Sequence, residues 1–205
     1  MLIVGERINS SRPDIKEAIS KHDSTFILNE AKQQVKEGAV IVDVNCGTSM
    51  DKELDDMLWL IKTIQGEIDV SLCIDSPSAD VLKEALSIHK GQAMINSITA
   101  EKARYEKILP FCKDSDCLIV ALTMDERGTP NTAEERFEVA TIIMEICQEY
   151  GIAKNRLYFD PLIRPISTEG AQAKEILKGI RLIKELGLQT IAGLSNISFG
   201  LPNRR

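Results

Sequence analysis

The chain has 205 residues, 43% hydrophobic and 27% charged, with a net charge of −6. That length suits one substantial core and a single domain over residues 1–205. An acidic balance without a basic block excludes nucleic acid as the first expectation, and no apolar stretch approaches the length of a membrane span.

Met1–Ser11 lacks the basic and long apolar regions of a signal peptide and reads as a first strand. Five cysteines, Cys46, Cys73, Cys112, Cys117 and Cys147, show no CxxC or Cys/His zinc spacing. They read as free, mostly packed thiols of a reduced cytoplasmic protein.

In chain order, Leu2–Asn9 predicts a strand, and Asp14–Ser20 and Thr25–Glu37 predict helices, with Gly38 a plausible C-cap. Val40–Gly47 is a second strand, and Lys52–Gln65 a helix whose apolar face includes Leu54, Met57, Leu58, Ile61 and Ile64. Trp59 falls on that face and is expected in the core. Strand Val70–Ser76 leads to helix Ser78–His89 with a serine start signal, and strand Ala93–Ile98 to helix Glu101–Phe111. Strand Leu118–Met124 is followed by helix Ala133–Tyr150, opened by a capping box at Thr132 and Glu135. Strand Leu157–Ile163, helix Ala171–Leu186 and strand Thr190–Asn196 complete the series.

Strict alternation of strand and helix predicts parallel strands with right-handed crossovers. The strand-one sequence GERIN is neither GxGxxG nor a phosphate loop. The expected class is therefore α/β, a TIM (β/α)8 barrel, with seven strands readable. An eighth strand is not readable before Arg205, so the domain is expected to be truncated at its C-terminus by on the order of 50 residues.

Each apolar run closes on a carboxylate or an amide. A barrel brings all its strand ends to one mouth, which would hold Glu6, Arg7, Asn9, Asp43, Asn45, Asp75, Asn96, Asp125, Asp160 and Asn196. No histidine falls at these positions. Oxygen-rich sites suit Mg²⁺, but mixed Asp and Asn side chains better match the N–H and carbonyl edge of a planar heterocycle. Helix capping is the plainer reading of Asp75 and Asp160, a turn that of Asn196, and a structural ion pair that of Glu6 with Arg7.

GERIN (Gly5–Asn9), DVN (Asp43–Asn45), IDS (Ile74–Ser76), INSI (Ile95–Ile98), ALTMDERG (Ala121–Gly128), FDPLI (Phe159–Ile163) and GLSNISFG (Gly193–Gly200) occur in order at strand ends. Together they resemble the pterin-binding methyltransferase family. That family includes the methyltetrahydrofolate:corrinoid protein methyltransferases and the folate module of cobalamin-dependent methionine synthase. The resemblance implies that Asp75, Asn96 and Asp160 hydrogen-bond the pterin ring, with Asp43 and Asn45 on the rim, and that Asn196 reaches the reactive N5. Phe199 stands where the acetogen enzymes place Gln, as in the methionine synthase version.

The resemblance further implies methyl transfer between N5 of tetrahydrofolate and the cobalt of a cobalamin carried by a separate corrinoid protein. It implies no metal of the chain's own, and a homodimer at full length. Two rivals are a dihydropteroate synthase-like enzyme and a non-catalytic pterin-binding fragment. The first would need an NxTPDSFxDGG loop, which GERINSSRPDIK does not supply.

Overall fold

In the computed structural model, residues 1–47 and 51–202 are described. The chain divides into two compact units, Met1–Asn96 and Ser97–Arg205.

Unit 1 contains β1 (Val4–Asn9), α1 (Pro13–Ser20), α2 (Ser24–Lys36), β2 (Ile41–Asn45), α3 (Glu53–Gln65), β3 (Ser71–Asp75), α4 (Ala79–Ile88) and most of β4 (Met94–Ile98). Two of these helices, α2 and α4, start where a side chain meets an orphan N–H group of the first turn. Asp23 accepts from the Phe26 N–H at 3.0 Å to begin α2, and Ser78 from Val81 at 3.4 Å to begin α4. Gly38 adopts a φ of +107° after α2, a conformation in which an L side chain would be strained.

The strands pair in chain order, β1-β2-β3-β4, and in parallel. Val42, Val44, Leu72, Ile74 and Ile95 are fully buried, as expected of strands covered on both faces. Ile15, Ile19, Ile27, Met57, Leu60 and Ile64 bring helix faces onto them. Each such side chain contributes roughly 1.5–3 kcal/mol on leaving water.

The β1–β2 register slips between Gly5↔Val42 and Ile8↔Val44, so Glu6 and Arg7 together oppose Asp43. Gln34 of α2 takes the backbone N–H of Arg7 at 2.9 Å. A Cβ on Gly5 would lie 2.5 Å from Gln34 Oε1, so a larger residue there would push the Gln34 amide off the bulge.

Unit 2 continues with α5 (Lys102–Lys113), β5 (Leu118–Leu122), α6 (Ala133–Glu149), a 3-10 turn (Lys154–Arg156), β6 (Leu157–Asp160), α7 (Ile166–Glu169), α8 (Gln172–Glu185), β7 (Gln189–Thr190) and α9 (Leu194–Ile197). The strand order is again that of the chain, β5-β6-β7, and β5 pairs with β6, and β6 with β7, in parallel. The capping box of α6 is complete, with Thr132 Oγ1 accepting from the Glu135 N–H and Glu135 Oε2 from the Thr132 N–H.

Parallel strands in unbroken chain order, alternating with helices, make this an α/β fold of the TIM-barrel type rather than a doubly wound sheet, whose order reverses. Two expectations are corrected. The seventh strand is only Gln189–Thr190, and its expected C-terminal half is the short helix α9. Gly193 breaks the extended run, and Ser195 and Asn196 favour a local turn over a ladder. Trp59 is half-buried rather than in the core, and its indole stacks on His22 with ring centroids 4.5 Å apart.

Candidate functional site

The C-terminal ends of β2, β3 and β4 carry a polar layer. Side chains two apart on a strand share a face, so Asp43 and Asn45 project together from β2, and Cys73 and Asp75 from β3. The registers Asp43↔Cys73 and Asp75↔Asn96 set these positions side by side. Asn45 Nδ2 donates to Asp75 Oδ2 at 3.0 Å, and Asn96 Nδ2 to Asp43 Oδ2 at 3.4 Å. Ser10 Oγ donates to Asn45 Oδ1 at 3.3 Å, orienting that amide with its NH₂ toward Asp75. The layer thus holds two amide–carboxylate pairs, Asn45 with Asp75 and Asn96 with Asp43.

Asp43 lies deepest, 8% exposed. Burial, and then the neighbouring charge of Asp75, push its carboxyl up to about 7 against the hydrogen bonds from Cys73 and Asn96. Glu6 adds a smaller like-charge push. Near neutral pH Asp43 therefore holds a proton part of the time and can donate as well as accept. Behind Asp75, Ser76 donates to the buried Glu53 at 2.5 Å and accepts from the Ser78 N–H at 3.0 Å, which ties the strand end to the start of α4.

In unit 2, Asp160 ends β6 opposite Leu122. Burial pushes its carboxyl up to about 6, opposed by the Leu162 N–H, which donates to Oδ1 at 2.8 Å. Leu162 adopts a φ of +61°, uncommon for a side chain of its size. The Asp160 carbonyl accepts from both the N–H and the hydroxyl of Thr123 at 3.0 Å, fixing the strand end. Asn196 is exposed on α9, where its backbone N–H caps back to the Gly193 carbonyl at 3.1 Å.

Unit 1 therefore brings together four of the sequence-predicted residues, Asp43, Asn45, Asp75 and Asn96, while Asp160 and Asn196 belong to unit 2. Asn9 accepts from the Ser11 N–H at 2.9 Å and shapes a turn. Arg7 pairs with Glu30 of α2 at 2.9 Å, so the expected pair with Glu6 is replaced by one to the helix layer. Asp125 is held by Arg127 through both its backbone N–H at 2.8 Å and its guanidinium, which keeps the carboxyl below its ordinary range.

Two members of the polar layer were not singled out from sequence. Cys73 reads as packing, yet its thiol bonds Asp43. The signal was its place two residues before Asp75, on the same strand face. Ser10 follows the last residue of β1, and its partner across the register could not be read without the pairing. All five cysteines are free and buried. Among the described residues no group of three or more His, Cys, Asp or Glu is placed to hold a metal ion, and no helix is long and apolar enough to cross a membrane.

Residues 5–204 match the family described as pterin binding enzyme. A methylcorrinoid:tetrahydrofolate methyltransferase of Eubacterium limosum is 34% identical over 209 aligned positions, covering 100% of this chain and 77% of that protein. The methionine synthase of Mycobacterium tuberculosis is 30% identical, covering 98% of this chain and 18% of its own length. Among solved structures, dihydropteroate synthase from Xanthomonas albilineans in complex with 7,8-dihydropteroate superposes with a TM-score of 0.72 at 22% identity, covering 95% of this chain and 72% of that one. At that identity the likeness is one of fold.

Proposed function

This chain belongs to the pterin binding enzyme family and groups with its methyltransferases, and from that premise we propose that it moves a methyl group between N5 of tetrahydrofolate and the cobalt of a corrinoid protein. The observation that carries the reading is the polar layer of unit 1. Amide donors at Asn45 and Asn96 pair with carboxylates at Asp75 and Asp43. A flat pterin edge presents ring N–H, amino and carbonyl groups that match such donors and acceptors.

In this proposal Asp75 and Asp160 accept from ring N–H and amino groups, and Asn96 donates to a ring acceptor. Asp43 and Asn45 line the rim. A carboxyl at about 7, as for Asp43, serves either tautomer of the lactam edge near neutral pH. Methyl departure from N5 is poor while the leaving nitrogen would carry negative charge, and protonation of N5 makes it neutral. An amide is too weak an acid to supply that proton, so Asn196 stabilises protonated N5 while water delivers the proton. Asn196 is exposed, as suits a residue beside an atom attacked from another protein. The corrinoid of the partner supplies the Co(I) nucleophile. The protein's own share is orientation and charge stabilisation.

The dihydropteroate synthase reading is weaker, because GERINSSRPDIK lacks that enzyme's loop and the structural likeness is one of fold. Homodimer assembly and a cytoplasmic location belong to the same proposal. Buried free thiols support the last.

Calorimetric titration with tetrahydrofolate tests the site, and mixing methyltetrahydrofolate with cob(I)alamin, followed spectrally, tests the transfer. Binding with transfer is expected, and Asn196→Ala should slow transfer roughly 100–1,000-fold while barely changing affinity. Binding without transfer would favour the non-catalytic reading. An unchanged rate in Asn196→Ala would remove Asn196 from the mechanism.

A further inference from the structure

Arg136 is the largest of the fully buried side chains. It lies on the stripe of α6 formed by Ala133, Arg136, Ala140, Ile143 and Cys147, where every other member is small or apolar. Taking a guanidinium out of water is costly unless its donors are met, and a carboxylate is the usual partner. Among the described residues Arg136 forms no ion pair. It donates instead to three neutral oxygens: Nε to the Pro161 carbonyl at 2.8 Å, Nη1 to the Thr132 carbonyl at 2.9 Å, and Nη2 to Gln172 Oε1 at 3.1 Å.

Two of those bonds clip α6 to itself and to α8. Glu175, accepting from the Ala133 N–H at 2.9 Å, already ties the same two helices. The third bond reaches the loop after β6, and there it has a consequence. The Pro161 carbonyl and the Leu162 N–H belong to one peptide unit, which is planar and trans. Holding the oxygen on one side aims the hydrogen to the other, where Asp160 Oδ1 receives it at 2.8 Å. Leu162 sits at a φ of +61°, a strained conformation that persists only when its surroundings over-determine it. A charged donor on the carbonyl also polarises the peptide and strengthens its N–H as a donor.

We propose that Arg136 is a positioning residue for Asp160, acting through the rigid Pro161–Leu162 peptide to fix the carboxylate's orientation toward a pterin. The inference rests on the reading of Asp160 as a pterin contact. The charged groups around Arg136 are Arg164, Glu175 and Glu135. Asp160 itself is set by burial and the Leu162 N–H, so a change at Arg136 reaches it through that peptide.

The experiment is calorimetric titration of the full chain with tetrahydrofolate between pH 5 and 8, for the native protein, Arg136→Lys and Asp160→Asn. Lysine keeps the charge but cannot span three divergent acceptors. In the native protein, affinity should fall as pH drops through about 6. In Arg136→Lys the weakened Leu162 N–H bond should move that acid limb toward neutral pH by about half a unit or more. Affinity at pH 7 should drop roughly tenfold, in the range seen when a supporting bond is lost.

A lower denaturation midpoint with an unmoved acid limb and native affinity would make Arg136 a structural clip and overturn the proposal. If Asp160→Asn binds like the native chain, the reading of Asp160 fails and the proposal fails with it. If Asp160→Asn loses binding while Arg136→Lys does not, only the role of Arg136 fails. Should Arg136→Lys not fold, Leu162→Gly loosens the same peptide and leaves the buried arginine in place. A shift of the acid limb in the same direction supports the peptide's role, and an unmoved limb overturns it.

Discussion

The acids of the two units are held in different ways. In unit 1, Asp43 and Asp75 are fixed by side chains from other strands of the sheet, Asp75 by Asn45 of the adjacent β2 and Asp43 by Asn96 of β4, across β3. In unit 2, Asp160 is held by a turn: one backbone N–H from a residue at positive φ, with a buried arginine behind it. The first arrangement follows from strand pairing and spreads its support over several partners. The second concentrates support in one peptide and depends on helix packing to keep it in place. The polar layer should therefore tolerate a perturbation that the turn does not.

The largest expected effect comes from emptying the core beside each acid. Phe159 and Ile74 are both fully buried and directly precede Asp160 and Asp75. Phe159→Ala should cost about 3–5 kcal/mol and Ile74→Ala about 2–5 kcal/mol in urea unfolding. If the comparison holds, Phe159→Ala also weakens tetrahydrofolate more than Ile74→Ala does. Equal losses would mean that the two acids are equally well supported.

Next is the pH dependence of stability. Asp43 is raised from 3.8 to about 7 by burial and Asp75. Because the folded state holds this proton more tightly than the unfolded chain, the stability it contributes is full below about pH 4. That contribution is lost as pH rises through about 7. Asp43→Asn cannot ionise, so native stability relative to this variant should fall by on the order of a few kcal/mol between pH 4 and 8. Parallel stability curves would show that Asp43 is better solvated than its position indicates. Tetrahydrofolate affinity should show the opposite sign of response at Asp160, falling as pH drops through about 6 because the acceptor form is lost.

A smaller effect is expected from Asp75→Ala, which removes the partner of Asn45 and a proposed pterin acceptor. Affinity for tetrahydrofolate should fall by about 1.5–3 kcal/mol, with the fold retained because Asn45 keeps Ser10. Smaller still, Thr132→Ala removes half of the capping box of α6 and should cost about 1 kcal/mol. Since Thr132 also offers its carbonyl to Arg136, this variant should disturb pterin affinity more than a comparable cap loss at Ser78. Identical binding by the two cap variants would weaken the link between α6 and Asp160.

Where each acid ends its strand was legible from sequence. The runs before Asp75 and Asp160 are short and β-rich, and the helix after Asp75 carries its own start signal at Ser78. Cys73 was legible only as an apolar residue, because its hydrogen bond to Asp43 depends on which residue faces it across the register. Arg136 was hidden for a similar reason. A charged residue early in an acidic helix reads as a solvated face until neighbouring segments supply carbonyls to bury it against. The segment that folds as the helix Leu194–Ile197 reads as strand in sequence because LQTIAGL begins as an apolar run, which Gly193 interrupts.

The amino-acid sequence by itself determined the alternation of strands and helices, the caps that start and stop them, and the placement of a carboxylate or amide at each strand end. These are properties of near neighbours, carried by side-chain period and turn chemistry. Tertiary structure alone decided which polar ends meet, which proton equilibria they shift, and which buried cation steadies them. Those outcomes depend on the pairing register and on a low-dielectric interior that brings distant residues within hydrogen-bond reach. The contrast between a strand-held acid and a turn-held acid is of this second kind.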